Sequence, residues 1–71
     1  MDNNYADRFI RLAEVKERTG ISRSAIYAAV KDGTFPKPVQ LGSRSIGWLE
    51  SEITKWIDQR VQSSRQDPEN G

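Results

Sequence analysis

Hydrophobic and polar positions divide the chain into three helical stretches and one alternating stretch. Phe9-Ile10-Arg11 is a short apolar run that suits one strand or an extended lead-in. From Leu12 onward, Leu12, Val15 and Ile21 stand among good helix formers, Ala13 to Arg18, and predict a first helix that Thr19-Gly20 stops. Ser22 has the place of an N-cap for a second helix from about Arg23 to Lys31, closed by Asp32-Gly33. At about 100° per residue, Ile26, Ala29 and Val30 share one face of that helix. Ser24, Tyr27, Ala28 and Lys31 share the opposite face, with Arg23 on a flank.

Pro36-Lys37-Pro38 interrupts any helix, because proline lacks a donor and biases its neighbour to extended backbone. Val39-Gln40-Leu41 and Ile46-Gly47-Trp48 then alternate about Gly42-Ser43-Arg44-Ser45, the pattern of a β-hairpin with Arg44 at its tip. A third helix is expected from Leu49 or Glu50, with Glu50 and Glu52 favourably placed in its first turn. Ile53, Trp56, Ile57, Arg60 and Val61 recur as one buried stripe, and fraying is expected by Ser63-Ser64. The fold class is therefore mainly α with a small β-hairpin: three helices plus a wing. Its expected core is Leu12, Val15, Ile21, Ile26, Val30, Phe35, Val39, Leu41, Ile46, Trp48, Ile53, Trp56 and Ile57.

Composition narrows the chemistry. Seventy-one residues suffice for one domain with a modest core. The division expected is a flexible tail at 1–7, a domain at 8–63 and a disordered tail at 64–71. The chain contains no cysteine and no histidine, so disulfides, the usual metal ligands and the commonest general base are all missing. No catalytic residue, metal or cofactor is expected, and the chain does not read as an enzyme. The polar, acidic start and the lack of any long apolar run suggest a cytoplasmic protein. The net charge of +1 hides an asymmetry: all 11 basic residues and only 6 acidic ones lie between Arg8 and Arg65, and both tails are acidic. A basic centre of this kind suits a polyanionic partner.

Two short helices joined by Thr19-Gly20-Ile21-Ser22 have the layout of a helix-turn-helix, whose second helix enters the major groove of DNA by its N-terminal part. That part offers Ser22, Arg23, Ser24 and Tyr27, followed by Lys31. Arginine can pair with guanine, serine with bases or phosphates, and tyrosine with phosphate. On the wing, Ser43, Arg44 and Ser45 suit phosphates or a narrow minor groove. Lys37, stiffened between prolines, is a further phosphate candidate.

From about Phe9 to Arg60 the chain resembles the AlpA family of prophage regulators, small relatives of MerR-type and excisionase DNA-binding domains. The resemblance is carried by Ile10-Arg11-Leu12-Ala13-Glu14-Val15, Thr19-Gly20-Ile21-Ser22-Arg23-Ser24-Ala25-Ile26-Tyr27, Lys31-Asp32-Gly33-Thr34-Phe35-Pro36-Lys37-Pro38-Val39, Leu41-Gly42-Ser43-Arg44-Ser45-Ile46-Gly47-Trp48 and Glu50-Ser51-Glu52-Ile53. It implies a MerR-like winged helix-turn-helix that puts Ser22, Arg23, Ser24 and Tyr27 in the major groove and Arg44 on the wing. Two positions depart from the family's habit: Ala13, where proline is frequent, and Ala28, where a basic residue is frequent. The second loses a phosphate or base contact and lowers the affinity expected of one protomer.

The partner implied is double-stranded DNA, with integrase or RNA polymerase as protein partners and the nucleoid as the location when bound. The leading role is a phage-type transcriptional regulator. An excisionase-like factor that bends DNA and recruits integrase is the alternative within DNA binding, and a protein-interaction adaptor is the alternative from another class. MerR-type dimers use a long C-terminal coiled coil with no counterpart here, so a monomer or weak dimer, cooperative on DNA, is expected.

Overall fold

The computed structural model of the chain describes residues 7–65. Its elements run β1 (Phe9–Ile10), α1 (Leu12–Thr19), α2 (Arg23–Asp32), β2 (Val39–Gln40), β3 (Ile46–Leu49) and α3 (Glu50–Arg65). Both expected glycine stops are present: Gly20 (φ 76°) ends α1 and Gly33 (φ 83°) ends α2, each in the left-handed conformation that glycine adopts without strain. The turn between the helices is Gly20-Ile21-Ser22, one residue shorter than expected because Thr19 completes α1. The Thr19 hydroxyl donates to the Val15 carbonyl at 2.7 Å.

The three strands form one antiparallel sheet in the order β1-β3-β2. Phe9-Ile10 is thus a strand, paired with Leu49 and Trp48, and the hairpin belongs to a slightly larger sheet. The register of β2 corrects the expected core. Val39 pairs with Gly47, whereas Ile10 pairs with Trp48 one residue further along β3. Successive residues of a strand point to opposite faces, so Val39 and Leu41 lie on the side away from Trp48. They are accordingly exposed, at 36% and 38%.

Ile10 takes a place in the centre with Val15, Ile26, Phe35, Trp48 and Ile53, all buried. Leu12, Ile21, Ala29, Val30, Ile46, Trp56 and Ile57 pack around them. Trp56 is therefore a half-buried border residue, its ring edge-on to Phe35 at 4.9 Å between centroids. Gly47 is required by space: a Cβ there would stand 2.9 Å from Leu41 Cδ1 and 3.0 Å from the Ile10 carbonyl oxygen.

α3 follows β3 directly, and its free amides are met from a distance. Asp7 accepts hydrogen bonds from the Ser51 amide (3.0 Å) and hydroxyl (2.8 Å). These bonds hold the Asp7 carboxyl below the usual aspartate range. Arg8 bridges Glu14 at 2.8 Å and Glu50 at 3.1 Å, which raises its already high pKa, and Arg18 donates to Thr54 at 3.0 Å. Exposed pairs of this kind are screened by solvent and add little to stability. Asp7, assigned above to a flexible tail, thus has a fixed partner. α3 also continues through Ser63-Ser64, where fraying was expected, to Arg65. The remaining tail residues, 1–6 and 66–71, lie outside the described residues.

Candidate nucleic-acid interface

α2 presents a polar face because its other face is committed to the core. Ile26 is wholly buried, and Ala29 and Val30 are half-buried beside it. Arg23, Ser24, Tyr27, Ala28 and Lys31 are all exposed. Both ends of the helix are fastened. The Ser22 side chain accepts a hydrogen bond from the Ala25 amide at 3.2 Å, as an N-cap does. At the other end the Gly33 amide bonds the Val30 carbonyl (3.1 Å) and the Thr34 amide bonds the Ala29 carbonyl (2.9 Å). Within the exposed face, the Arg23 guanidinium stands 5.8 Å from the centre of the Tyr27 ring, inside cation–π range. The two large polar side chains one turn apart therefore form a single surface feature.

The wing is built differently. Its tip closes when the Leu41 amide (2.8 Å) and Gly42 amide (3.3 Å) both bond the Ser45 carbonyl. Ser43 and Arg44 are exposed, and Ser45 is half-buried. Gln40 adds a brace, its side-chain amide donating to the Gly42 carbonyl at 2.6 Å. A lone glutamine in an alternating run carries no signal in the sequence, so this support of the tip emerges only in three dimensions.

Lys37 belongs to neither group. It lies in the segment Thr34–Pro38, which is pinned from below by both tryptophans. The Trp48 indole donates to the Pro36 carbonyl (2.8 Å) and the Trp56 indole to the Thr34 carbonyl (2.9 Å). Lys37 borders an open cleft shared with Glu52, Lys55 and Gln59 of α3. Among the described residues, no group of three or more acidic or other metal-ligating side chains is placed to hold a metal ion. No helix among them is long and apolar enough to cross a membrane.

Comparison with known proteins finds similar sequences along most of the chain. The family model described as prophage CP4-57 regulatory protein (AlpA) matches residues 8–61. The DNA-binding transcriptional activator AlpA of Escherichia coli K12 is 42% identical over 66 residues, an alignment covering 84% of this chain and 94% of that protein. The ORF88 protein of Enterobacteria phage P4 is 44% identical over 55 residues, covering 78% of this chain but only 62% of its own length. The family is described as one of regulatory proteins, and the E. coli relative is a DNA-binding transcriptional activator by name. The chain belongs to the AlpA family of prophage regulatory proteins.

Proposed function

We propose that the protein binds double-stranded DNA in a sequence-dependent manner as a phage-type transcriptional regulator, through a MerR-like winged helix-turn-helix. The observation that carries this reading is α2: a helix fixed at both ends, with its core face buried, Ser24, Tyr27 and Lys31 exposed on the other side and Arg23 exposed on a flank. Fixed geometry is what base reading needs, because a bidentate arginine–guanine pair tolerates little displacement. In this reading Arg23 contacts a base edge and Ser24 contacts a base or phosphate. Tyr27 and Lys31 hold phosphates. The Ser22 oxygen accepts the capping bond, which leaves its O–H to donate to a phosphate. Arg44, flanked by Ser43 and Ser45, meets the backbone or minor groove, and Lys37 adds a phosphate contact. The name of the E. coli relative, a DNA-binding transcriptional activator, supports the same conclusion.

The test is selection. Purified protein is mixed with fragmented genomic DNA and with random duplexes, and the retained fragments are sequenced. A shared short motif among them is expected, protected from cleavage over one face of the duplex. Retention without any shared motif would leave a sequence-independent architectural role, and no retention at low salt would remove DNA as the partner. Bending of the selected site beside an integrase would favour the excisionase role over the regulator.

A further inference from the structure

The apolar stripe of α3 outruns the core. Ile53 is wholly buried, Ile57 is half-buried and Val61 is 37% exposed, although the three repeat at i, i+4 and i+8 on one face. Beside the outer part of that stripe lies a groove of ≈ 600 Å³ between α2 and the C-terminal half of α3. Its floor is Ile21, Ala25, Ala29, Ile57 and Val61, the alanines leaving depth that larger side chains would fill. Its rim carries Arg18, Arg60 and Arg65, and among the described residues no carboxylate lines it, Arg18 also facing Glu50 outside it at 3.8 Å. Arg60 is held over the Trp56 ring at 4.9 Å, which keeps its charge at the rim.

We infer that this groove docks an amphipathic helix with an acidic polar face, supplied by a partner protein. An apolar floor of this shape takes aliphatic side chains one turn apart, the helix-in-groove mode. Arg60 and Arg65, with a lesser share from Arg18 because it also pairs with Glu50, select the sign of the flanking charge. They also argue against a second copy of this chain as occupant, since two such grooves face to face would oppose arginine to arginine. Duplex DNA offers nothing to fill an apolar floor. Ala25 and Ala29 lie on the flank of α2 away from Tyr27 and Lys31, so a helix seated here leaves the polar face of α2 open. The inference does not depend on what that face reads.

The probes are two synthetic amphipathic helices with the same leucine stripe, one bearing glutamates and the other lysines on its polar face. Each is titrated into the ¹⁵N-labelled full chain while amide chemical shifts are followed. The glutamate peptide is expected to shift Ala25, Ala29, Ile57 and Val61 saturably, and the lysine peptide to leave them in place. Val61→Glu should weaken the glutamate peptide about tenfold or more, and Arg65→Glu several-fold, with circular dichroism unchanged for either exposed site. Equal binding of both peptides, shifts centred on Arg23 and Tyr27, or shifts that follow protein concentration without peptide would each overturn the inference. So would the absence of any shift.

Discussion

α2 and the wing are both expected to face DNA, yet they are held in opposite ways. α2 is capped at Ser22, closed at Gly33 and nailed to the core by Ile26. The wing tip joins the exposed two-residue strand β2 to the buried central strand β3 and is closed by two backbone bonds and the Gln40 brace. A helix with its positions fixed can discriminate between bases. A hairpin tip with few buried contacts has a low cost of local opening and can adapt to a backbone that varies little with sequence. Under the proposed DNA-binding function, the difference predicts that α2 reads and the wing holds.

The largest effect that can break this comparison is on stability. Ile26→Ala should cost about 2–5 kcal/mol, because the side chain is wholly buried beneath α2. Leu41→Ala, in the exposed wing, should cost about 1 kcal/mol or less. Urea unfolding of both variants checks this, and equal losses would mean that the wing is as firmly held as the helix.

The next effect is on specificity. Arg23→Ala should lose about 1–3 kcal/mol of binding on the selected site and relax the preference at one base pair. Arg44→Ala should weaken selected and random duplexes by the same factor. Competition titrations against both kinds of duplex measure this, and a uniform loss from Arg23→Ala would transfer base reading elsewhere.

Ser22→Ala, which removes the cap of α2, should destabilise by about 1 kcal/mol. Gln40→Ala, at an exposed position of the wing, should change stability by no more than about 0.5 kcal/mol while broadening the amide resonances of Ser43 and Arg44. Thermal unfolding and relaxation measurements separate the two.

The smallest effect lies outside both regions and serves as a control. Asp7 has a folded-state pKa below its unfolded value, owing first to the Ser51 hydroxyl. Its contribution is therefore present above the unfolded value of about 4 and is lost as pH falls through the folded one. Asp7→Ala should flatten the acid limb of stability below about pH 4 and leave the relation between α2 and the wing unchanged. A pH series of thermal melts checks it.

What could be read from the sequence follows the range of the interactions responsible. The boundaries of α1 and α2, the Ser22 cap and the exposed face of α2 are set within a turn or two of chain, and the residue pattern carries them. The membership of Ile10 in the core depends on pairing with Trp48, 38 positions away. A two-residue strand is too short to announce such a partner by alternation. Val39 and Leu41 show the other failure. Their alternation is real, but the face it belongs to is decided by pairing opposite Gly47, one step out of phase with Trp48. Trp56 has the right periodicity and sits at the border, since periodicity identifies a stripe without saying where along the helix the core ends. Within the candidate interface, the α2 residues were legible for local reasons. The Gln40 brace and the two indole bonds that hold the Lys37 segment were not, because each links a side chain to a backbone carbonyl that no pattern marks.

The division of labour between helix and wing presupposes DNA, and the most direct test is the salt dependence of duplex binding by the full chain. Arg23, Lys31, Lys37 and Arg44 suggest three or four phosphates neutralised per protomer, so the log–log slope should be about −3. Lys31→Ala and Arg44→Ala should each make it shallower by about 1, as loss of a phosphate contact does. No detectable binding to any duplex at low salt, or a slope that neither substitution alters, would contradict the account.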